Sequence, residues 1–532
     1  MVRDEAKLLD ELKSIIPKTA YGANGTMYAI ALEGWRRGLT LKFYTKFVKD
    51  TAKIRYALSD DEKEVKFQLS LAEHIPKEAR NITRSKKTTK EYLIRNDVPT
   101  PRGGSFGKEH TNEDIIEFAK TLEYPIVLKP ANASLGIGVK TNITNMDTFK
   151  EHLEYLRGKR GDDEVIVEQQ VSGEDTRLFV VGEQVVSAFK RITANVTGDG
   201  VHSIEELIEK KNKERKKNPH VGGSKISITD EVHEYLRNNG LRLDSVPSEG
   251  KRVYLHKSSI ASNGADTVEV TDRLTAESKK VAVDAVKTLP GLSVCGVDVM
   301  IDYEEGTNYV LELNSRPNIG GSLFPVEGTP TNISKAIVDY YFPDLPELAP
   351  NSPSSQLHFD YEEIEEVLKS GVVKEVTVPS VPRKNLVIKK LVISGKVQGV
   401  GFRNWVYKKA TNRRISGYVK NLKNKKVQII AAGKEDKMED FIRLIENKTP
   451  KKMRVKEVKN NNWDKPVMTG FRVKKKPANV KTLRESLRKE EDKNQELMQR
   501  LQSVEKELHN LKKSKSWKVT SPIRKAVKKI KG

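Results

Sequence analysis

Between Gly395 and Arg403 the chain reads Gly-Lys-Val-Gln-Gly-Val-Gly-Phe-Arg, and eighteen residues later Asn421 ends the run Gly-Tyr-Val-Lys-Asn. Few folds need that arrangement. Glycines at 399 and 401 let successive backbone N–H groups turn inward around an anion, and Arg403 adds a permanently charged planar fork for phosphate oxygens. Lys390-Leu-Val-Ile-Ser alternates as a strand does, Asn404 to Arg414 has helical character, and Gly417 to Ile430 alternates again. The loop is therefore expected at a strand-to-helix junction, where backbone donors favour anions.

These residues resemble an acylphosphatase domain over Lys389 to about Lys476. The resemblance implies a small ferredoxin-like α/β sandwich that hydrolyses carboxyl-phosphate anhydrides without metal. It implies Arg403 on the phosphate, Asn421 on the attacking water, and N–H donors from Val397, Gln398, Gly399, Val400, Gly401 and Phe402. One departure is visible, because the turn Leu422-Lys-Asn-Lys-Lys426 has no glycine. Asn424 is the residue expected to take the left-handed conformation there.

A second phosphate signature precedes it. Tyr124-Pro-Ile-Val-Leu-Lys-Pro130 reads as a short buried strand ending in a lysine, followed by the small-residue loop Ala131 to Val139. About 160 residues on, Cys295-Gly-Val-Asp-Val-Met-Ile and Tyr309-Val-Leu-Glu-Leu-Asn-Ser-Arg-Pro317 read as adjacent strands. Their alternation lets Asp298, Glu312 and Asn314 share one face, a set of hard oxygen ligands suited to magnesium on triphosphate oxygens.

Together these motifs resemble the ATP-grasp carboxylate-amine ligases over residues 80 to 345. That resemblance implies two lobes clamping ATP, a carboxylate phosphorylated to an acyl phosphate, and its capture by an amine. It places Lys86 and Lys129 on the phosphates, Glu168, Gln170 and Val171 in the adenine hinge, and Glu174 on the ribose. Asp298, Glu312 and Asn314 would bind Mg2+, with Mn2+ a substitute, while Arg316 and Arg191 would stabilise the transferred phosphate. The stretches beginning at Thr197, Leu243 and Asn263 look like the ATP-grasp region of cyanophycin synthetases and fused glutathione synthetases. The chain has neither the Mur-ligase-like module of the first nor the glutamate-cysteine ligase module of the second, so the substrates stay open beyond small carboxylates and amines.

The fold class expected is multidomain α/β and α+β. Residues 1–80 form a lobe ahead of the ATP-grasp domain at 81–345, 346–388 are a linker rich in proline and serine, and 389–476 are the acylphosphatase domain. The acidic Asp360-Tyr-Glu-Glu-Ile-Glu-Glu within the linker suggests a short helix. Residues 477–511 place Leu483, Leu487, Glu490, Asn494, Leu497, Leu501, Val504, Leu508 and Leu511 at spacings of three and four, the seam of a coiled coil expected to pair two chains in parallel.

Charge is unevenly divided. Residues 383–532 hold 44 Lys/Arg against 14 Asp/Glu, a surplus of +30 within a net +23, so residues 1–382 carry −7. The tail at 512–532 intersperses its nine Lys/Arg with Trp517, Val519, Ile523, Val527 and Ile530, a pattern suited to an anionic membrane surface or acidic polymer, or simply to a solubilising extension. Aromatics are 6% of the chain and form no stacking row, which argues against nucleic acid. No run of eighteen apolar residues occurs, and the first residues lack an apolar signal core, so a cytoplasmic setting is expected. The single cysteine, Cys295, lies in an apolar run and is expected in a core; His202 and His256 have no ligand spacing.

The reading is a bifunctional enzyme, ATP-dependent ligase and acylphosphatase. Its alternatives are an acylphosphatase with an ATP-sensing region, or a scaffold on a membrane or anionic polymer.

Overall fold

The computed structural model describes residues 5–49, 51–132, 137–256, 264–349, 352–382 and 385–474, together with 497, 500, 503 and 504. The expected coiled coil and basic tail lie outside the described residues except for those last four. They are helical, and Leu497 and Val504 are each 55% exposed.

The N-terminal lobe builds on α1 (Ala23–Arg36), a helix buried along most of its length. It packs on an antiparallel sheet containing β1 (Thr40–Val48), β2 (Thr51–Ser59) and β3 (Glu64–Gln68). Register fixes which face is which. Phe43 pairs with Tyr56 and Tyr56 with Phe67, so three aromatic rings lie side by side in the core, with Tyr56 and Phe67 stacked 5.0 Å apart.

The stretch 346–388 is not a free linker. Its strand Glu375–Val378 pairs antiparallel with β1 and completes that sheet. The Phe359 ring lies 5.1 Å from Tyr28 and 5.6 Å from both Trp35 and Phe43. Trp35 Nε1 donates to Pro379 O, and Arg36 Nε to Leu357 O. The prolines and serines mark real turns locally, but Phe359, Tyr361 and Val378 are apolar anchors whose partners lie more than 300 residues earlier. The acidic segment does form a helix, Tyr361–Lys369, capped by Asp360.

Next comes α2 (Lys86–Arg95), whose first turn is capped by the Ser85 side chain accepting from Thr88 N. A small sheet follows, made of β4 (Gly103–Phe106), β5 (Ile126–Pro130), β6 (Lys140–Ile143) and β7 (Val165–Gln169), in the order β4-β7-β5-β6. The larger sheet has β8 (Glu174–Val181), β9 (Gln184–Ile192), β10 (Asp266–Glu269), β11 (Val294–Ile301) and β12 (Asn308–Asn314), in the order β10-β9-β8-β11-β12. Cys295 is wholly buried there, and burial pushes its thiol up to about 12, a core residue rather than a nucleophile.

The C-terminal unit runs β13 (Leu386–Lys396), α3 (Phe402–Thr411), β14 (Ser416–Asn421), β15 (Val427–Lys434), the helix Glu435–Asn447, β16 (Arg454–Asn462) and β17 (Phe471–Lys474). Its sheet order is β16-β13-β15-β14-β17, a split βαβ sandwich whose helices cover one face through Phe402, Val406, Phe441 and Ile445. The other face is not left to solvent. Ile388, Ile430 and Ala432 join the same apolar core as α1 and Phe359. Leu357–His358 pairs parallel with Val467–Met468, and Arg472 Nη2 meets Asp360 Oδ2 at 2.7 Å. No helix among the described residues is long and apolar enough to cross a membrane.

Candidate active sites

In the small sheet, Val127 on β5 pairs with Glu168 on β7. Lys129 lies two residues along β5 and so shares that face. Its Nζ meets Glu168 Oε1, while Lys90 Nζ meets Oε2 at 3.0 Å. The Glu168 side chain is only 8% exposed. Burial alone would raise its pKa, but the two ammonium groups outweigh it and hold Glu168 below the usual carboxylate range. Burial lowers the pKa of Lys90 despite that same carboxylate.

Lys86 stands one turn before Lys90 on α2, and i, i+4 spacing puts both on one face. Lys86 Nζ reaches Glu312 Oε2 at 3.3 Å, on the larger sheet. One helix thus lays cations on carboxylates of both lobes. Glu168, expected in the adenine hinge, is the anion between two lysines. Gln170 is fixed by its own backbone N–H donating to Pro125 O at 2.9 Å and by its Oε1 accepting from Asn142 N at 2.6 Å; Val171 follows, half-buried.

Across the larger sheet Arg177, Asp298 and Glu312 pair in register on three neighbouring strands, and Asn314 stands opposite Gly296 on the same face. Asp298 accepts from Arg177 Nε at 2.6 Å and Nη2 at 2.5 Å, and from Arg191 Nη2 at 3.4 Å. Burial opposes the Asp298 charge, yet the arginines hold its carboxyl below the usual range; Asp175, more dominated by burial, is pushed up. Arg191 also meets Asp175 at 3.1 Å. Glu174, expected at the ribose, does not share this face. Alternation along β8 turns it to the opposite side, where it pairs with Lys190 at 2.8 Å and Arg273 at 3.4 Å. Asp175 and Arg177 occupy the face instead. The sequence reading missed both, though counting by twos along β8 would have found them.

No cluster of three or more His, Cys, Asp or Glu side chains is poised around a metal position among the described residues. Two carboxylates and the Asn314 amide oxygen are nonetheless brought to one face, and their chemistry fits a hard divalent ion such as Mg2+ or Mn2+. Cations hold these oxygens here: Arg177 and Arg191 on Asp298, and Lys86 on Glu312. Asn314 Oδ1 accepts from Arg316 N at 3.1 Å. Neither histidine belongs to this site. His202 pairs with Asp199 at 2.8 Å in a surface turn, and His256 is buried.

In the C-terminal unit, Gly399 and Gly401 have φ of +75° and +83°, and a side chain at either would be strained by the backbone alone. Gly401 caps α3, so the loop opens directly onto a helix N-terminus. Val397 and Phe402 are buried, Val400 is half-buried, and all three anchor the loop in the domain core. Gln398 Nε2 donates to Leu422 O at 3.0 Å and Lys426 O at 2.7 Å, tying the loop to the turn after Asn421. Arg403 makes a long contact to Lys474 O at 3.5 Å. Asn421 Oδ1 is buried and has no hydrogen-bond partner among the described residues. In the turn itself Lys425, not Asn424, is left-handed, with φ +60°. Asn424 instead offers its Oδ1 to Lys426 N at 3.4 Å.

Residues 389–473 match the acylphosphatase family model, and residues 83–202 match the RimK-like ATP-grasp domain. The chain joins an ATP-grasp domain to an acylphosphatase domain. Its ATP-grasp part is 30% identical over 270 residues to the glutathione biosynthesis bifunctional protein of Clostridium perfringens, covering 49% of this chain and 34% of that protein. It is also 30% identical over 270 residues to the cyanophycin synthetase of Trichormus variabilis, covering 49% of this chain and 29% of that one. The chain therefore spans about a third of the length of the curated relatives it matches. Among solved structures, a bifunctional glutathione synthetase from Pasteurella multocida is 26% identical, with a TM-score of 0.45 over 57% of this chain and 42% of that chain. An acylphosphatase from Coxiella burnetii is 33% identical over 17% of this chain and 95% of that chain, with a TM-score of 0.16.

Proposed function

We propose that the ATP-grasp domain joins a small carboxylate to an amine at the cost of Mg-ATP, and that the acylphosphatase domain hydrolyses an acyl phosphate to carboxylate and phosphate. The observation that supports the first half best is the parking of Lys86 on Glu312 and of Lys90 and Lys129 on Glu168. Cations held on carboxylates of two neighbouring sheets are preorganised for polyphosphate oxygens. Lys86 and Lys129 would bind the phosphates, Gln170 and Val171 the adenine, and Arg316 and Arg191 the phosphoryl group in flight. Asp298, Glu312 and Asn314 would hold magnesium, whose contribution there is to neutralise phosphate charge. The substrate carboxylate attacks the terminal phosphorus and ADP leaves; the amine then attacks the acyl carbon and phosphate leaves.

In the second domain the backbone donors of 397–402 and Arg403 would hold the phosphoryl group, while the orphaned Asn421 oxygen accepts from the attacking water. Phosphoryl transfer to water releases the carboxylate, so the domain consumes the same class of intermediate that the ligase forms. The seam at 477–511 supports pairing of two chains, and the basic tail supports contact with an anionic surface; sedimentation with anionic vesicles, with and without residues 512–532, tests the latter. The ligase reading is tested by ADP release with Mg-ATP against pools of amino acids, dipeptides and small carboxylates. A pool that raises ADP release should lose that effect in Glu312→Gln, and an unchanged response in that variant would contradict the reading.

A further inference from the structure

The face of the N-terminal sheet opposite its aromatic core reaches the ATP-grasp domain beside Arg316. Phe43, Tyr56 and Phe67 point into the core, so their neighbours Tyr44, Arg55 and Gln68 point the other way. The turn after β3 holds this face against the ATP-grasp domain, because Ser70 Oγ donates to Pro317 O at 2.8 Å, next to Arg316. With its amide oxygen facing them, Gln68 accepts from Arg55 Nη2 at 3.3 Å and from Arg316 Nη1. Two guanidiniums from different domains therefore meet across one neutral amide.

The charge around them is not balanced. Arg55 is 8% exposed, yet among the described residues its Nε has no hydrogen-bond partner and its Nη1 donates only to the adjacent Ile54 O at 3.2 Å. The nearest carboxylate, Glu73, stands 3.9 Å from that Nε and is bound at 3.2 Å through both oxygens by Lys46. Among the described residues, Arg55 and Lys46 thus share Glu73 as the one acid within 4.0 Å of either. Burial and the neighbouring Arg316 both press against the Arg55 charge, with Glu73 opposing them. A buried guanidinium without a closely bonded carboxylate is costly to maintain unless an anion completes it.

We propose that Arg55, Gln68 and Arg316 form a subsite for a carboxylate of the ligase substrate, supplied half by the N-terminal lobe and half by the ATP-grasp domain. This rests on the ligase reading for the identity of its occupant and deepens it. The substrate then carries an anionic group bound by Arg55 in addition to the one that is phosphorylated, as a dicarboxylic amino acid or an acidic peptide does. A planar carboxylate meets such a pair of forks with parallel N–H···O bonds, which a mono-acid spends on the reacting group alone.

The experiment measures binding of succinate to the full chain by calorimetry and thermal shift, against sodium chloride at equal ionic strength and against inorganic phosphate. Wild-type protein should bind succinate, and Arg55→Met should weaken it at least tenfold without changing affinity for a non-hydrolysable Mg-ATP analogue. Gln68→Glu places a carboxylate between the two guanidiniums; it should raise the ligand-free melting temperature and abolish succinate binding, which keeps the test decisive if Arg55→Met does not fold. Equal succinate affinity in wild type and Gln68→Glu overturns the subsite, as does a nucleotide affinity that falls in step with Arg55→Met, or a pocket that takes phosphate and no carboxylate. Succinate binding that depends on Gln68 and Arg55, in a protein that releases no ADP with any carboxylate, upholds the subsite and removes the ligase reading instead.

Discussion

Asn421 and Glu174 show how far single residues speak for themselves. The loop glycines were legible because few other residues turn left-handed, and Arg403 and Asn421 stand out in sequence as a fixed charged fork and an amide at a strand end. Asn421 Oδ1 is buried without a partner, so its removal should affect chemistry more than packing. Asn421→Ala is expected to lower kcat on benzoyl phosphate by about 10²–10³ with little change in melting temperature, as loss of a transition-state contact does. A kcat within a few-fold of wild type would remove it from the reaction. Which of the adjacent acids Glu174 and Asp175 faces Asp298 was not legible, because the two look alike in sequence and only strand register decides it. The pairing of Glu168 with two lysines was equally hidden, since Lys90 comes from a helix in another part of the chain.

At the scale of elements, periodicity located β5, β11, β12, β13 and the βαβ core of the C-terminal unit. It failed between residues 346 and 388, where turn residues gave a correct local reading and a wrong architectural one. Several of the segment's apolar residues, Leu357, Phe359, Tyr361 and Val378 among them, fill gaps in the N-terminal core. Phe359 is 2% exposed and touches three aromatic rings, so Phe359→Ala should cost about 3–5 kcal/mol of stability in a denaturant titration. A loss below about 1 kcal/mol would restore the linker reading.

His358 joins this segment to the acylphosphatase domain and is 7% exposed. Burial and then Arg36 lower its pKa from 6.5 to about 4, with Arg472 adding to the effect and Asp360 opposing it. The folded state therefore favours the neutral ring. Between those two pH values the unfolded chain binds more protons, so stability is full above about 6.5 and falls as pH drops toward about 4. The loss should be on the order of 1–3 kcal/mol across that window. Melting temperatures at about pH 7 and about pH 5 should differ less in His358→Gln than in wild type; equal differences would remove His358 as the cause.

As a whole molecule, the chain brings an ATP-grasp domain and an acylphosphatase domain into one folded body. The sheet face that the acylphosphatase domain leaves uncovered by its own helices packs on the N-terminal core, so the domain is docked rather than tethered. That docking was not legible, because Ile388, Ile430 and Ala432 fit an ordinary alternating strand and nothing in sequence names the partner of their outer face. The two proposed sites share no residue, so their chemistry should be separable. The most direct measurement is a paired assay on one preparation, following ADP release with Mg-ATP and a stimulating carboxylate pool beside benzoyl phosphate hydrolysis. Glu312→Gln should abolish the stimulated ADP release and leave hydrolysis intact, while Arg403→Ala should do the reverse. Loss of both activities in either variant, or survival of both, would contradict the assignment of two independent active sites to this chain.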